Sequence, residues 1–478
     1  MKATKFLRLL LLSSFVLVGC DKPFKKKEAE PETNETPTTP GDEGAPEGEP
    51  AKPTKKTITY KMEKLLKGSS NTYYNVEVDY DNAYFLRDAE VYDKDLSLLS
   101  FGGAISATYK TWILDFFDDT EFENITTHDY DQEPTEETLA YALAHKSIGE
   151  YELFAVAIRG HEYKKEWENN LKIGAEGDHQ GYLERGNELY SALSTYINQY
   201  KGEKSIKLWS FGYSRAGAMA DMLASLVLRS DGINVNPKNM FIYTFEAPNS
   251  LTEEHAIAYD NIHNIINSAD LVTYIPPNKY GLYRPGKDFE IYDANVSSIV
   301  REFDSTLSIP AYISCKPDGS TQCNNDVDFV NYILDSIFDY HLDDDKDAQT
   351  REDYVDHYQE GLSYIVGLLF SMSASNRSAM LSSLSNYSVI LPIMFDSTGA
   401  SLANHIKTYL NNDHIEYDND KLVTACKTLQ DGFSTIFAGL LAVMMNNNYK
   451  SNFTRTINMH YPEVTYCLLN NAHAKLEA

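Results

Sequence analysis

The chain has 478 residues, and its 42 Lys and Arg side chains against 70 Asp and Glu side chains give a formal net charge of −28. That charge argues against a nucleic-acid-binding protein, because a phosphate backbone would be repelled rather than neutralised. A hydrophobic fraction of 42% excludes global disorder. The length allows one large domain or two to three ordinary ones.

The first twenty residues have the pattern of an export signal. Three basic residues among the first eight precede an apolar run from residue 9 to 18, about half the length that a membrane-spanning helix needs. Residues 17–20, Leu-Val-Gly-Cys, then resemble the lipobox of bacterial lipoproteins. This resemblance implies cleavage before Cys20, a lipid on its sulfur and an extracytoplasmic, lipid-anchored protein of the bacterial cell envelope. The alternative is an ordinary secretory signal with a chance cysteine.

Residues 21–57 are predicted to form a disordered tether. They consist mainly of Pro, Glu, Thr, Lys and Gly, with Phe24 as the one aromatic residue. Such a composition cannot bury enough apolar surface to order the chain. The folded domain is therefore expected over residues 58–478.

The cysteine pattern fits a chain that leaves the cytoplasm. Apart from Cys20, four cysteines are present: Cys315, Cys323, Cys426 and Cys467. The turn sequence Pro-Asp-Gly at 317–319 could bring Cys315 and Cys323 together in a local disulfide, although four cysteines admit three pairings. No Cys-x-x-Cys pair is present, so no metal site is predicted.

Strand and helix patterns alternate through the middle of the chain. A near-continuous apolar run, typical of a strand buried on both faces, occupies 151–159, and three shorter strand-like runs follow at 206–211, 240–245 and 262–267. Helical patterns follow the first three of these runs, at 181–200, 216–228 and 253–259. This alternation predicts right-handed crossovers and a mostly parallel sheet covered by helices.

The junction between the second strand and its helix fits a nucleophile elbow. A serine on a sharp strand-to-helix turn needs small residues two positions before and after it, and Gly212 and Ala216 fill those places around Ser214. Ala216 departs from the usual Gly-x-Ser-x-Gly by one methyl group, which we expect the turn to accommodate. Its placement favours a catalytic serine over a structural turn.

A serine nucleophile needs a base, and the base needs a carboxylate that holds it. Asp270 follows the fourth strand, so a parallel sheet would place it at the same carboxyl edge as Ser214. Glu246, just after the third strand, is the competing carboxylate. Spacing does not choose a base among the six histidines that follow: His341, His357, His405, His414, His460 and His473.

Five blocks of sequence resemble the class 3 (fungal-type) lipase family of α/β hydrolases, particularly its bacterial members. In chain order the blocks are 155–160 (AVAIRG), 179–182 (HQGY), 212–217 (GYSRAG), 243–249 (YTFEAPN) and 267–276 (NSADLVTYIP). The family's terminal block, a histidine followed by Tyr-Pro-Glu, is matched by residues 460–463. The resemblance implies an α/β-hydrolase fold with Ser214, Asp270 and His460 as the catalytic triad. His357 is the second choice, because some members carry the base in a similar local setting.

The resemblance also implies an oxyanion hole formed by the backbone N–H groups of Arg215 and His161. Two fixed amides would stabilise the negative charge of a tetrahedral intermediate. His161 departs from the hydroxyl residue often found at its position, so its side chain either replaces that donor or leaves the hole weaker.

The stretch between Asp270 and His460 is far longer than a sheet enzyme needs to place its base. From about 326 to 450 the sequence reads as mainly helical, and apolar residues at helical spacing predict a large helical insertion. Part of this insertion is expected to cap Ser214 and to line an acyl pocket. The acidic run at 343–347 lacks the ligand pattern of an EF-hand loop, so no calcium site is predicted.

These features predict a tethered serine hydrolase of the lipase type. It would cleave carboxylic esters, such as acylglycerols or other lipids, through an acyl-enzyme and without a cofactor. The substrate class comes from the resemblance alone, because the same triad hydrolyses esters, thioesters and amides. The alternatives are a catalytically inactive hydrolase-fold lipoprotein that acts as a binding module, favoured by the departures at Ala216 and His161, and a purely structural envelope protein.

Overall fold

A computed structural model describes residues 55–67, 72–132, 135, 138–160, 167–314, 323–338, 350–383, 386–431 and 447–477. The predicted signal with Cys20 and nearly all of the predicted tether lie outside these residues. So do His161, Cys315, His341 and the acidic run at 343–347. The expectations that concern them stay predictions.

The described chain opens with an antiparallel hairpin of β1 (Lys56–Glu63) and β2 (Tyr73–Tyr80). β1 thus begins two residues before the predicted domain start. Two helices follow, α1 (Lys94–Ser106) and α2 (Lys110–Asp119). The Asp93 side chain accepts hydrogen bonds from the first backbone N–H groups of α1, as an N-cap should.

A seven-stranded sheet forms the centre of the molecule, with its strands in sequential order. The strands are β3 (Glu123–His128), β4 (Tyr141–Ile148), β5 (Tyr151–Ile158), β6 (Ser205–Tyr213), β7 (Met240–Phe245), β8 (Ile262–Ile266) and β9 (Lys287–Glu290). β3, β4 and β5 pair antiparallel, whereas β5 to β9 pair parallel. The mostly parallel sheet predicted from the apolar runs is confirmed.

Both faces of the sheet are covered. One face packs against α4 (Gln180–Tyr200) and α5 (Arg215–Arg229), which follow the short helix α3 (Trp167–Asn170). The other face packs against α1, α2 and the C-terminal helix α15 (Pro462–Glu477). On this face Trp209 of β6 is fully buried and donates a hydrogen bond to Ser100 Oγ at 2.8 Å. This is the predicted α/β-hydrolase fold.

The helix predicted at 253–259 is wrong, because this segment forms only turns. The N–H groups of His255 and Ala256 both donate to the carbonyl oxygen of Thr252, which makes a single turn. Ile257 is half exposed, and Ala256 and Tyr259 are only partly buried against the core, so a helix here would bury little apolar surface. Short helices without such packing are marginal in water.

A set of helices lies between β9 and the C-terminal helix. They are α6 (Val296–Phe303), α7 (Asp326–Phe338), α8 (Arg351–Tyr354), α9 (Glu360–Ser371), α10 (Ala374–Ser383), α11 (Tyr387–Phe395), α12 (Ala400–Asn412), α13 (Asn419–Asp431) and α14 (Asn447–Asn458). The apolar faces of α7 to α13 form a separate core that also takes in Leu271, Tyr280 and Leu282, from the segment just after Asp270, whereas α6 packs into the core that holds α15. The insertion therefore packs at the carboxyl edge of the sheet. A cap over Ser214 itself stays a prediction.

Three cysteines are described, and all three are buried. Cys426 lies in the core of the insertion and Cys467 in the core beneath α15, both as free thiols. Burial raises the pKa of each of these two thiols to about 12, so they are protonated at neutral pH. The Cys315–Cys323 disulfide stays a prediction.

The described residues contain neither a candidate membrane span nor a candidate metal cluster. None of the helices there has the length and hydropathy that a bilayer crossing requires. In the same part of the chain, no cluster of three or more His, Cys, Asp or Glu side chains could hold a metal ion.

Candidate active site

Ser214 stands on a strained turn between β6 and α5. Its φ of 58° and ψ of −126° are unusual for a residue with a side chain. The Ser214 N–H donates to the carbonyl oxygen of Phe245 at 2.7 Å, and its own carbonyl accepts from the N–H of Gly217 at 2.8 Å. These two bonds hold the serine at the carboxyl edge of the sheet.

The turn depends on close backbone approach at Gly212. A Cβ there would lie 2.1 Å from the carbonyl oxygen of Ala216, so no other residue fits. The methyl group of Ala216 is fully buried, and it would lie 3.2 Å from a Cβ placed on Gly160. The departure from Gly-x-Ser-x-Gly is therefore accommodated by the absence of a side chain at Gly160.

Ser214, His460 and Asp270 form a continuous line of hydrogen bonds. His460 Nε2 lies 2.8 Å from Ser214 Oγ, and His460 Nδ1 lies 2.5 Å from Asp270 Oδ2. A carboxylate only accepts, so Nδ1 carries the proton and Nε2 is left to accept from the serine hydroxyl. Ser214 and Asp270 are buried, whereas 13% of the His460 side chain is exposed. The base thus has access to solvent.

Asp270 is fixed by the turn that follows β8. Its Oδ1 accepts the N–H of Val272 at 2.9 Å, which leaves Oδ2 for His460. The hydroxyl of Thr273 donates to the backbone carbonyl of Asp270 at 2.8 Å. Such local bonds are why an Asp is stable at this position, and they set the direction of its carboxylate.

His460 lies in the short link between α14 and α15, and both sheet strands of the site hold it. Tyr213 Oη donates to the backbone carbonyl of His460 at 2.6 Å. Asn267 Nδ2 donates to the carbonyl oxygen of Met459 at 3.2 Å. Tyr213 precedes Ser214 and Asn267 lies three residues before Asp270, so the same segments that carry Ser214 and Asp270 also position His460.

The other described histidines beyond Asp270 lie elsewhere. His357 is exposed on a π-helical turn (Val355–Gln359) within the insertion. His405 contacts Ser383 Oγ at 3.1 Å, and His473 contacts Tyr92 Oη at 2.6 Å. Among the described histidines after Asp270, His460 is the one that contacts Ser214.

Glu246, the competing carboxylate, is buried beside the triad but does not hold the base. It follows β7 with a φ of 51°, and its Oε2 accepts the N–H of Asn267 at 3.0 Å. Its Oε1 lies 3.1 Å from Thr465 Oγ1 in α15. Burial, and then the nearby charge of Asp270, raise the pKa of Glu246 well above its ordinary value.

Of the two predicted oxyanion-hole residues, the structure describes Arg215 but not His161. Arg215 is the first residue of α5, directly after Ser214, and its side chain is buried. His161 lies outside the described residues, but Gly160 just before it packs on the end of β6. A Cβ at Gly160 would lie 2.1 Å from the carbonyl oxygen of Tyr213. Both oxyanion donors stay predictions.

A family model described as Lipase (class 3) matches residues 155–280. The matched segment contains Ser214 and Asp270 and ends before His460. The chain is also 26% identical, over 168 residues, to a lipase of Rhizomucor miehei, and the match covers 33% of this chain and 42% of that protein. The chain thus spans less than half the length of this curated relative. These sequence matches support a relation to the class 3 lipase family.

Solved lipase structures are similar to part of the chain. One is a triacylglycerol lipase with a serine protease triad, 19% identical, with 43% of this chain and 83% of that chain covered and a TM-score of 0.33. Another is a lipase from Rhizopus microsporus var. chinensis, 17% identical, with 41% and 74% covered and a TM-score of 0.30.

Three residues that contact the site were not singled out from the sequence: Tyr213, Asn267 and Thr465. Tyr213 and Asn267 lie close in sequence to predicted site residues, so their position was a usable signal. Thr465 had none, because its contact with Glu246 joins residues 219 positions apart.

Proposed function

We propose that this chain is a serine hydrolase of the lipase type that cleaves carboxylic esters. The observation that carries the proposal is the line of hydrogen bonds from Asp270 through His460 to Ser214, at 2.5 and 2.8 Å. A serine becomes nucleophilic when a base removes its proton and a carboxylate orients that base. The match to the class 3 lipase model supports the same reaction class.

In the first half of the reaction, Ser214 Oγ attacks the carbonyl carbon of the ester while His460 Nε2 takes the hydroxyl proton. The carboxylate of Asp270 stabilises the imidazolium that forms. His460 then returns the proton to the leaving alcohol as the carbon–oxygen bond breaks, and the acyl group stays on Ser214. In the second half, water attacks this acyl-enzyme with His460 again as base, which releases the acid and restores Ser214.

The proposed oxyanion donors are the backbone N–H groups of Arg215 and His161. Two such amides stabilise the tetrahedral intermediate because its negative charge develops where they already point, and each is worth about 3 kcal/mol. No cofactor takes part in the proposed reaction.

We further propose that the substrates are acylglycerols or other lipid esters and that the protein is anchored through a lipid on Cys20 in a bacterial cell envelope. The substrate follows from the similarity to lipases, and the anchor follows from the lipobox-like residues 17–20. A tether of residues 21–57 would let the domain reach a lipid surface.

A fluorophosphonate probe tests the mechanism, because it reacts with an activated serine whatever the natural substrate is. We expect an adduct on Ser214, found by peptide mass mapping of the chain without residues 1–20. Ser214→Ala should remove the adduct, and His460→Ala should lower kcat for an ester by a factor on the order of 10³ or more. The matched control is His357→Ala, which should keep wild-type labelling.

Labelling that survives in Ser214→Ala would overturn the mechanism. A folded wild-type protein that takes no probe, with or without lipid vesicles, would favour the inactive binding module instead.

A further inference from the structure

A chain of buried polar groups runs from Glu246 to the backbone of His460. Glu246 Oε1 lies 3.1 Å from Thr465 Oγ1, and Thr465 Oγ1 lies 3.1 Å from Tyr213 Oη. Tyr213 Oη lies 2.6 Å from the carbonyl oxygen of His460. Glu246 and Thr465 are fully buried, and Tyr213 is 6% exposed. All three side chains are therefore shielded from bulk solvent.

The number of hydrogens decides the direction of the chain. Three contacts join four oxygen atoms, but the two hydroxyl groups of Thr465 and Tyr213 supply only two hydrogens. The carbonyl oxygen of His460 only accepts, so the Tyr213 hydrogen points to it. Thr465 then donates to Tyr213, which is nearer than its other acceptor, the carbonyl oxygen of Tyr461 at 3.5 Å, and the hydrogen between Glu246 and Thr465 comes from Glu246. An ionised Glu246 would instead leave two oxygen lone pairs facing each other at one of the contacts.

We infer that Glu246 is a neutral carboxylic acid and a positioning residue for His460, whose hydroxyl hydrogen begins a one-way chain through Thr465 and Tyr213 to the His460 carbonyl. As a role in the reaction, this inference rests on the proposed hydrolase function. The second carboxyl oxygen keeps its bond from the N–H of Asn267 at 3.0 Å. The two carboxyl oxygens of Glu246 thus contact Asn267 and Thr465, which lie close in sequence to Asp270 and His460.

The surroundings favour the neutral acid. The nearby charges that act most strongly on Glu246 are those of Asp270 and Glu290, and both are negative. At the other end of the chain, the titratable groups that act on Tyr213 of β6 are Glu246, Asp270 and the buried Glu463 of α15, all of them acidic. Burial and Asp270 both raise the pKa of Glu246, in agreement with the count of hydrogens.

The neutral state also has a consequence for Asp270. The charge of Asp270 raises the pKa of Glu246 and so favours the neutral form of Glu246. With the proton on Glu246, Asp270 keeps the negative charge that stabilises the His460 imidazolium. Glu246 therefore acts through other residues and does not touch the reacting atoms.

Kinetics on a soluble ester distinguish a neutral Glu246 from an ionised one. Glu246→Gln keeps a donor towards Thr465 and an acceptor for Asn267, so we expect its kcat to stay within about threefold of wild type. Glu246→Ala and Thr465→Val break the chain and should lower kcat on the order of ten- to a hundredfold with KM nearly unchanged. The matched control is Asp221→Ala, which removes another fully buried carboxyl outside this chain and should leave kcat near wild type.

The pH profile tests the charge directly. If Glu246 is neutral in the wild type, Glu246→Gln removes no charge, and the acid limb of kcat/KM keeps its midpoint. If Glu246 is ionised, the substitution removes a negative charge close to His460, and the limb moves to lower pH. A shifted limb, or a Glu246→Gln variant as impaired as Glu246→Ala, overturns the inference.

A thermal measurement keeps the test independent of catalysis. Because the pKa of Glu246 is raised in the folded chain, the wild type loses stability relative to Glu246→Gln as the pH rises above the ordinary pKa of Glu. The Tm of the variant minus that of the wild type should therefore widen from about pH 5 to about pH 9. A constant difference overturns the neutral state. Absence of esterase activity in the wild type would refute the proposed function while this thermal result still decides the protonation of Glu246.

Discussion

Ser214 and Glu246 share an unusual backbone at the ends of neighbouring strands. Both have side chains and a positive φ, of 58° and 51°. Each N–H continues the pattern of the parallel sheet, since Ser214 donates to Phe245 and Glu246 donates to Ile265. A residue held in this region costs about 1–3 kcal/mol, and the adjoining strands supply the bonds that hold it there. The strain therefore lies where the chemistry is proposed.

Gly217, three residues after Ser214, leaves too little room for a side chain. A Cβ on Gly217 would lie 2.8 Å from Ala247 Cβ, which is too close, so Gly217→Ala should lower the free energy of unfolding by about 1–3 kcal/mol. Gly361→Ala is the matched control, since this helical glycine has room for a Cβ 3.4 Å from Ala425 Cα. The control should gain up to about 1 kcal/mol from helix propensity. Urea unfolding of both variants measures the difference, and equal values would contradict the predicted clash.

The sequence predicted some of these residues and not others for physical reasons. Ser214 was predictable because the steric demand of its turn leaves a local pattern of small residues. Asp270 was predictable because parallel strands end at one edge. His460 was chosen by resemblance, since no local rule identifies a base 246 residues from its serine. Thr465 was missed for the same reason.

At the scale of elements, a buried ion pair joins α7 of the insertion to α14, the helix that ends two residues before His460. Arg455 of α14 makes two hydrogen bonds to Asp326 of α7, at 2.5 and 2.8 Å, and both side chains are almost fully buried. Arg455 also donates to Ser297 Oγ and to the carbonyl oxygen of Pro310. His460 follows α14 directly, so this pair fixes the helix that leads into the base.

Replacing one member of the Arg455–Asp326 ion pair should lower the free energy of unfolding strongly. Arg455→Met leaves the buried Asp326 carboxyl without its cation, with the Tyr292 hydroxyl still donating to it, and we expect a loss of about 3–5 kcal/mol in the free energy of unfolding. The double variant Arg455→Met/Asp326→Leu should recover most of that loss, because no lone charge remains. Lys238→Ala, which removes an exposed ion pair with Asp88, should give no resolvable change in Tm. Additive effects of the two buried substitutions would refute the coupling.

Element prediction succeeded where burial was complete. Every residue of the strands at 240–245 and 262–266 is buried, as expected at the centre of a parallel sheet. The predicted helix at 253–259 failed because its helix-prone residues bury little apolar surface. Instead, the buried carboxylate of Asp178 accepts the N–H and the hydroxyl of Thr252, which holds the start of this segment as a turn. Local propensity was overridden by a contact from a distant residue.

At the scale of the whole molecule, the net charge of −28 should bias which esters reach the site. An acidic field attracts cations and repels anions, and salt screens it over about 10 Å at 0.1 M. We expect kcat/KM to be higher for an ester with a cationic leaving group than for an anionic ester with the same acyl chain. The ratio should fall towards one as the salt concentration rises from about 0.01 to about 0.5 M. A neutral ester is the control, and a ratio that does not depend on salt would contradict the predicted steering.

Because His460 lies far after Ser214 in the sequence, the site is completed late in the synthesis of the chain. Ser214 leaves the ribosome 246 residues before the histidine that it contacts. At about 5–20 residues per second, that interval lasts roughly 12–50 s. On the proposed mechanism, the growing chain carries an inert serine during this time. Hydrolytic competence therefore arises only when the link before α15 docks between the ends of β6 and β8.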